Sequence, residues 1–200
     1  MDAATAVATD APSPWRTMWF SPRLTVRRIL DNEVRPSWVA VVALATVGLA
    51  FRSLQLDETG ALSASRSMMP VLIEILQTIF GVLIGPFLLA IVGEWLGGEA
   101  DASDLRHAVA WSYVPVAACS LLWIPILLTI GTRAFSTNVD QFVGLEWLGV
   151  ALMLVVNIGH VWSVPLMVGA VAAAQRFSIA KAILSWLILS IPFLLLMLLR

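Results

Sequence analysis

Charged residues are scarce in this sequence, which has 12 Lys and Arg and 13 Asp and Glu among 200 residues. They make up 12% of the chain, whereas a soluble domain carries about 25%. Hydrophobic residues make up 60%. Because so little charge is unable to cover a soluble surface, the composition excludes an ordinary soluble protein and indicates an integral membrane protein.

Cysteine is nearly absent as well, since Cys119 is the only one. A disulfide within the chain and a cysteine metal cluster are therefore excluded, and we interpret Cys119 as a small apolar packing residue. The sequence also lacks an HExxH zinc helix, a GxSxG elbow and a Walker phosphate loop. These absences predict a protein that is not an enzyme and binds neither a cofactor nor a metal.

The amino-terminal residues lack the basic start and the apolar core of a secretory signal. Their Ala, Thr and Pro content predicts a disordered tail at 1–14. We divide the remaining chain into a cytoplasmic amphipathic juxtamembrane segment at 15–35 and a five-span membrane domain at 36–200.

Five apolar stretches are close to the roughly 20 residues that a membrane-spanning helix needs. They predict an all-α integral membrane protein, with five transmembrane helices in a bundle that follow an amphipathic interfacial helix. The first span is the shortest continuous apolar run. The predicted spans are 37–56, 68–96, 108–131, 147–174 and 178–199.

The basic residues are unevenly distributed over the connections between these spans. If the amino terminus is cytoplasmic, eight of them lie on the inner side and four on the outer side. The positive-inside rule then places the amino terminus in the cytoplasm and the carboxyl terminus outside. The inner group is Arg16, Arg23, Arg27, Arg28, Arg35, Arg106, Arg176 and Lys181, and the outer group is Arg52, Arg66, Arg133 and Arg200.

Three arginines precede the first span in SPRLTVRRILDN, residues 21–32. Ser21 and Pro22 are typical of a helix N-cap and first helical position. A nucleic-acid-binding protein presents a broader basic face, so we predict membrane lipids and not nucleic acid as the contact of this amphipathic helix. At helical spacing Arg23, Arg27 and Arg28 lie opposite Pro22, Val26, Ile29 and Leu30, with Leu24 as the misfit.

Small residues recur at a spacing of four in the second span, where Gly81 pairs with Gly85 and Gly93 with Gly97. Such pairs let two helix backbones approach closely in a membrane. They are compatible with a homodimer face, but packing against another span of the same chain is favoured, because a five-helix bundle must bury some faces.

The fourth span carries a polar stripe of Asn157, His160 and Ser163, each three residues from the next. Polar groups are costly in hydrocarbon, so the stripe has two interpretations. It is either a substrate or proton site that faces a cavity, or a hydrogen-bonded contact between helices.

The connection between the second and third spans contains Gly97 and Gly98 followed by Asp101 and Asp104. Asp101 at an N-cap with Asp104 in the first helical turn complements the helix dipole. With Glu99 these carboxylates match no calcium loop, so we predict helix capping here.

The order of these features resembles the Yip family of multi-span membrane proteins, in its bacterial branch. The resemblance covers residues 15–200 and implies five helices with a cytoplasmic amino end. The excess of arginine over lysine favours a bacterial source, and we expect the bacterial inner membrane. The matching positions are Trp15, Met18, Pro22, Arg23, Gly97, Gly98, Leu105, Arg106, Tyr113 and Pro115, although tyrosine and proline here are separated by one residue rather than two.

Eukaryotic members of that family are partners of Rab-type GTPases and carry a long cytoplasmic amino-terminal region. Only about 35 residues precede the first span here, so a Rab-type partner is not expected. We predict a non-enzymatic membrane protein that acts through helix packing, self-association as a homo-oligomer and contact with lipid. The alternative is a small transporter for a small molecule, an ion or a lipid that uses the polar face of the fourth span.

Overall fold

The computed structural model describes residues 13–32, 35–56, 61–135 and 147–198, and within these ranges the secondary structure is helical. A single isolated bridge joins Leu56 to Leu62. The predicted tail at 1–14 and the loop at 132–146 lie largely outside the described residues. The helices are α1 Pro14–Thr17, α2 Pro22–Asp31, α3 Val39–Arg52, α4 Ala64–Leu83, α5 Gly85–Trp95, α6 Ala102–Ser112, α7 Val114–Ser120, α8 Trp123–Ile130, α9 Trp147–Ala174 and α10 Ile179–Leu198, with a 3-10 turn at Gly131–Phe135.

Three helical stretches are long and apolar enough to cross a membrane, namely 66–83, 102–135 and 147–174. Shorter apolar helices cover 39–52, 85–95 and 179–191. The all-α membrane class is thus confirmed, whereas the number of five spans remains a prediction. The number of spans depends on helix α3, because its 14 residues are about 21 Å long and the hydrocarbon core is about 30 Å thick.

The second and third predicted spans are broken helices. The second is interrupted at Ile84, between α4 and α5, with Pro86 in the first turn of α5. The third is interrupted at Tyr113, with Pro115 in the first turn of α7. A proline cannot donate the backbone hydrogen bond of a helix interior, so both breaks fall just before one. Pro165, by contrast, lies inside the unbroken α9.

Helix α9 is the centre of the bundle and contacts α2, α6, α7, α8 and α10. The main hydrophobic core gathers around its carboxyl-terminal half, where residues 170–174 are buried. Trp111 of α6 and Met18 complete this core. A second cluster lies around α8, where the rings of Phe51, Trp123 and Phe135 stack with centroids 5.7–6.4 Å apart.

The predicted amphipathic helix is present as α2, and its apolar side chains are buried as the periodicity predicts. Val26 and Ile29 are almost fully buried and Leu24 is half exposed. The apolar face packs against α9 and α6, and a Cβ added at Gly169 would lie 3.2 Å from Pro22 Cγ. Since that face is covered by the bundle, it is not available to lipid.

Candidate functional site

The carboxyl end of α9 is tied to the connection between α5 and α6 by Gln175. Its side chain is 1% exposed and makes two hydrogen bonds to distant backbone. Gln175 Nε2 donates to the carbonyl oxygen of Leu89 at 3.2 Å, and Gln175 Oε1 accepts from the backbone N–H of Ala100 at 3.1 Å. We call this arrangement the Gln175 clamp. It holds α5, α6 and α9 in one register.

Glycines make the space that Gln175 fills. A Cβ at Gly93 or at Gly98 would collide with the Gln175 amide. Gly97 has φ +79°, which favours glycine because a side chain there is strained. Gly97 N–H donates to Glu94 O at 2.9 Å and Gly98 N–H to Gly93 O at 2.7 Å, which is the Schellman ending of a helix. The paired glycines therefore end α5 and admit Gln175.

Helix α9 ends in the same way without a glycine. Arg176 has φ +55°, and the N–H of Phe177 donates to Ala172 O at 3.2 Å. A non-glycine residue in this conformation costs about 1–2 kcal/mol. Arg176 Nη1 lies 3.3 Å from Glu99 Oε2, with both side chains about two-thirds exposed. An exposed ion pair contributes little to stability, so it does not offset the strain at Arg176.

Charged side chains make further contacts at the end of the bundle that contains the Gln175 clamp. Asp101 caps α6 by accepting from the Asp104 N–H at 2.7 Å, which confirms the predicted cap. Asp104 Oδ1 lies 2.6 Å from Arg35 Nη1, so the segment before α3 is fixed to α6. Lys181 Nζ donates to Leu96 O at 2.7 Å and satisfies a carbonyl at the end of α5.

A polar cavity of about 210 Å³ opens between α2, the α5–α6 connection and the end of α9. It presents charges of both signs together with small apolar side chains. Within the described residues no group of three His, Cys, Asp or Glu side chains is arranged to hold a metal ion. The lining residues are Arg27, Leu30, Asp31, Glu99, Ala100, Asp104, Ala173, Ala174 and Arg176.

The three predicted lipid-contact arginines, Arg23, Arg27 and Arg28, are exposed on α2, and we call them the arginine edge. Phe20 is 85% exposed beside them. Burial of the apolar face of α2 thus leaves the arginine edge exposed, and Arg27 also lines the polar cavity.

The polar stripe of the fourth span divides in the structure. Asn157 is exposed, whereas His160 and Ser163 are half-buried. Each bonds within α9: Asn157 Nδ2 donates to Met153 O at 2.8 Å, and Ser163 Oγ donates to His160 O at 2.7 Å. The hydrogen bonds of the three side chains are thus local to α9, and their exposure differs.

His160 retains one unused ring nitrogen. Nδ1 lies 2.7 Å from Val156 O and must be the donor, because a carbonyl only accepts. Nε2 is buried with no partner in the described part of the chain. Arg52 and Glu74 interact electrostatically with His160.

The glycines of the second span lie in several environments. Tyr113 Oη lies 3.7 Å from a Cβ added at Gly81, whereas at Gly85 the nearest atom is Phe80 O at 3.8 Å.

Sequence reasoning missed Gln175 and three glycines at helix crossings, because each depends on a distant partner. Added Cβ atoms at Gly48, Gly149 and Gly159 would meet Ser120, Ile130 and Cys119 respectively.

Other positions of the family resemblance lie in the core or next to it. Trp15 packs edge-on against Trp111 with ring centroids 6.0 Å apart. Arg106 is partly buried, and its Nε has no partner among the described residues. Trp15 thereby connects α1 to α6, and Pro115 lies buried in the first turn of α7.

A family model described as the Yip1 domain matches residues 15–199 of the chain. No curated protein and no solved structure matches the chain. The match covers both the helices of the bundle and the segment of α1 and α2 that packs on them.

Proposed function

Because this chain belongs to the Yip1 domain family and is a multi-pass membrane protein, we propose that it acts without catalysis, through lipid contact at one membrane surface and self-association. The supporting observation is that α2 is fixed to the bundle by Val26 and Ile29 while the arginine edge is exposed. We further propose that this surface is the cytoplasmic face of a bacterial inner membrane and that the carboxyl terminus lies outside.

The arginine edge suits anionic headgroups. An arginine near an anionic leaflet contributes about 1 kcal/mol, and an interfacial helix binds through buried apolar area together with such charges. Here the apolar contribution is limited to side chains such as Phe20 and Leu24, because the main apolar face of α2 is packed on α9. Lipid contact is therefore mainly electrostatic and falls as the salt concentration rises.

Replacing all three arginines tests the lipid contact. We expect Arg23→Gln, Arg27→Gln and Arg28→Gln together to lower the preference for anionic over zwitterionic phospholipid by up to about 3 kcal/mol. The measurement is the amount of each lipid that the purified protein retains, followed by native mass spectrometry. The matched control replaces the same residues with lysine and keeps the preference. Equal retention by the glutamine variant contradicts the proposal.

A second candidate function is transport through the half-buried face of α9. The observation that favours it is the buried Nε2 of the half-buried His160, which has no partner among the described residues and has Arg52 and Glu74 in electrostatic range. Such a nitrogen is an acceptor for a proton or a polar substrate.

Thiol labelling distinguishes the two candidates, with Cys119→Ala as the background. Transport predicts that His160→Cys reacts with a water-soluble thiol reagent, because a pathway must admit water. Asn157→Cys is the matched control from the exposed face of the same helix. Labelling of neither residue argues for packing alone.

A further inference from the structure

Helix α9 carries a line of exposed side chains along the half that does not form the main core. The spacing alternates between three and four residues, which is the repeat that keeps side chains on one seam when two helices pair. We call this line the α9 seam. Its members are Trp147, Val150, Leu154, Asn157, Val161 and Val164, all of them exposed.

Asn157 is the polar member of the seam, and its hydrogen-bonding capacity is largely unused. One N–H donates to Met153 O. A side-chain amide has a second N–H and a carbonyl oxygen, and neither has a partner within the described residues. The exposed neighbours Leu154 and Val161, at 59% and 71%, offer no polar atom. The amide therefore lacks a partner on an otherwise apolar surface.

The depth of Asn157 in the membrane makes an unpaired amide costly. Asn157 is the eleventh of the 28 residues of α9, about 15 Å from the beginning of a helix about 42 Å long. That position lies inside a hydrocarbon core about 30 Å thick. Lipid chains cannot hydrogen-bond to the amide, and the short asparagine side chain is too far from the headgroups to reach them.

A second copy of the same chain supplies the missing partner. Two copies inserted in one direction are related by a two-fold axis along the membrane normal. Their α9 helices then run parallel, and equal positions of the seam meet at equal depth. Because an amide both donates and accepts, the two Asn157 side chains satisfy each other. Apolar seam residues alone provide no comparable drive in lipid.

We propose that the α9 seam is the interface between two parallel copies of this chain, with their Asn157 amides hydrogen-bonded to each other. This interface rests on the self-association proposed above and assigns it to one helix. The glycines of the second span are poorer candidates, because Gly93 faces Gln175 and Gly81 faces Tyr113 of the same chain.

Dimer affinity in lipid vesicles is the first test, measured by energy transfer between labelled copies at several protein-to-lipid ratios. Asn157→Leu is expected to weaken association about tenfold, and Asn157→Gln, which keeps an amide, to weaken it less. The matched control is Gln77→Leu on α4. Gln77 is also an exposed amide, and because it lies on a different helix it tests whether the loss of any exposed amide weakens the dimer.

Cross-linking maps the interface independently of affinity. In a Cys119→Ala background, Leu154→Cys and Val161→Cys are expected to form disulfides between copies upon oxidation. Ile73→Cys on α4, 45% exposed, is expected to form few. The Asn157→Leu change should reduce cross-linking at residue 161.

The outcomes separate the interface from the broader proposal. Three results overturn the α9 seam and leave self-association standing. They are a dimer that is unaffected by Asn157→Leu, a dimer that is weakened instead by Gln77→Leu, and a dimer that is cross-linked through residue 73 but not 161. A chain that stays monomeric at every protein-to-lipid ratio overturns both.

Discussion

Gln175 shows how much of this bundle depends on one buried side chain. It is 1% exposed, and its amide joins the backbone of α5 to the first residues before α6. Without Gln175 the part-buried N–H of Ala100 would lose its acceptor, and a buried N–H left without a partner costs about 1–3 kcal/mol. The space for Gln175 exists only because Gly93 and Gly98 have no side chains.

Gly98→Ala is therefore expected to lower the free energy of unfolding by about 1–3 kcal/mol, measured by denaturation in detergent micelles. Gly85→Ala is the matched control, because the nearest atom to its new Cβ is 3.8 Å away. In a Gln175→Ala background the cost of Gly98→Ala should fall, since the colliding amide is gone and only the contact with Gly93 O at 3.0 Å remains. Equal costs in both backgrounds would show that the collision is not the cause.

Arg176 is the opposite case to Gly98, because it has a backbone conformation that glycine would adopt without strain. Arg176→Gly is expected to raise the free energy of unfolding by about 1 kcal/mol, whereas Arg176→Ala removes the same ion pair and keeps the strain. The thermal unfolding midpoints of the two variants measure the difference. If alanine stabilises as much as glycine, the backbone conformation at Arg176 is not strained. Retained strain is typical of functional positions, and Arg176 lines the polar cavity.

At the scale of elements, α2 is the part whose role changes most between sequence and structure. Its amphipathic pattern predicts an interfacial helix, and the structure buries its apolar face on α9 and α6. The arginine edge consequently has a fixed orientation relative to the bundle. An α2 released from α9 would lose that orientation while keeping its charge.

Val26→Asp is expected to release α2, because an unpaired carboxylate in this contact costs about 3–5 kcal/mol. The measurement is trypsin cleavage after Arg27 and Arg28 in protein reconstituted into vesicles, which should become faster. Leu24→Asp is the matched control on the same helix, since Leu24 is 50% exposed and Val26 1%. Unchanged cleavage in Val26→Asp would mean that α2 is held by other contacts.

For the whole molecule, the number of spans determines which surface the arginine edge faces. An odd number places the two termini on opposite sides of the membrane. The uncertain element is α3, whose length of about 21 Å is short for the hydrocarbon core, although residues 35–38 and 53–56 extend it at both ends.

Reporter fusions are expected to place the amino terminus in the cytoplasm and the carboxyl terminus outside. A fluorescent protein that folds in the cytoplasm should be active at the amino end, and alkaline phosphatase, which is active outside, at the carboxyl end. Each reporter at the other end is the matched control. Activity of one reporter at both ends indicates an even number of spans, with α3 as the element that fails to cross.

The sequence by itself determined the membrane class, the bounds of the fourth predicted span, the Asp101 cap and the family. These depend on local quantities, because hydropathy and capping residues act within one or two helical turns. Helix α9 begins and ends at the residues that the hydropathy predicted, 147 and 174. The same reasoning placed Gly97 and Gly98 at the end of the second span, but the room that Gly98 leaves for Gln175 depends on a distant partner.

Only the tertiary structure decided which faces meet. Gln175 is an ordinary polar residue in the sequence, and its partners Leu89 and Ala100 are 86 and 75 residues away. Asn157 and His160 share one helical stripe, yet the packing of α9 against its five neighbours exposes the first and half-buries the second. Such outcomes follow from burying all helices at once, a constraint that no local pattern contains.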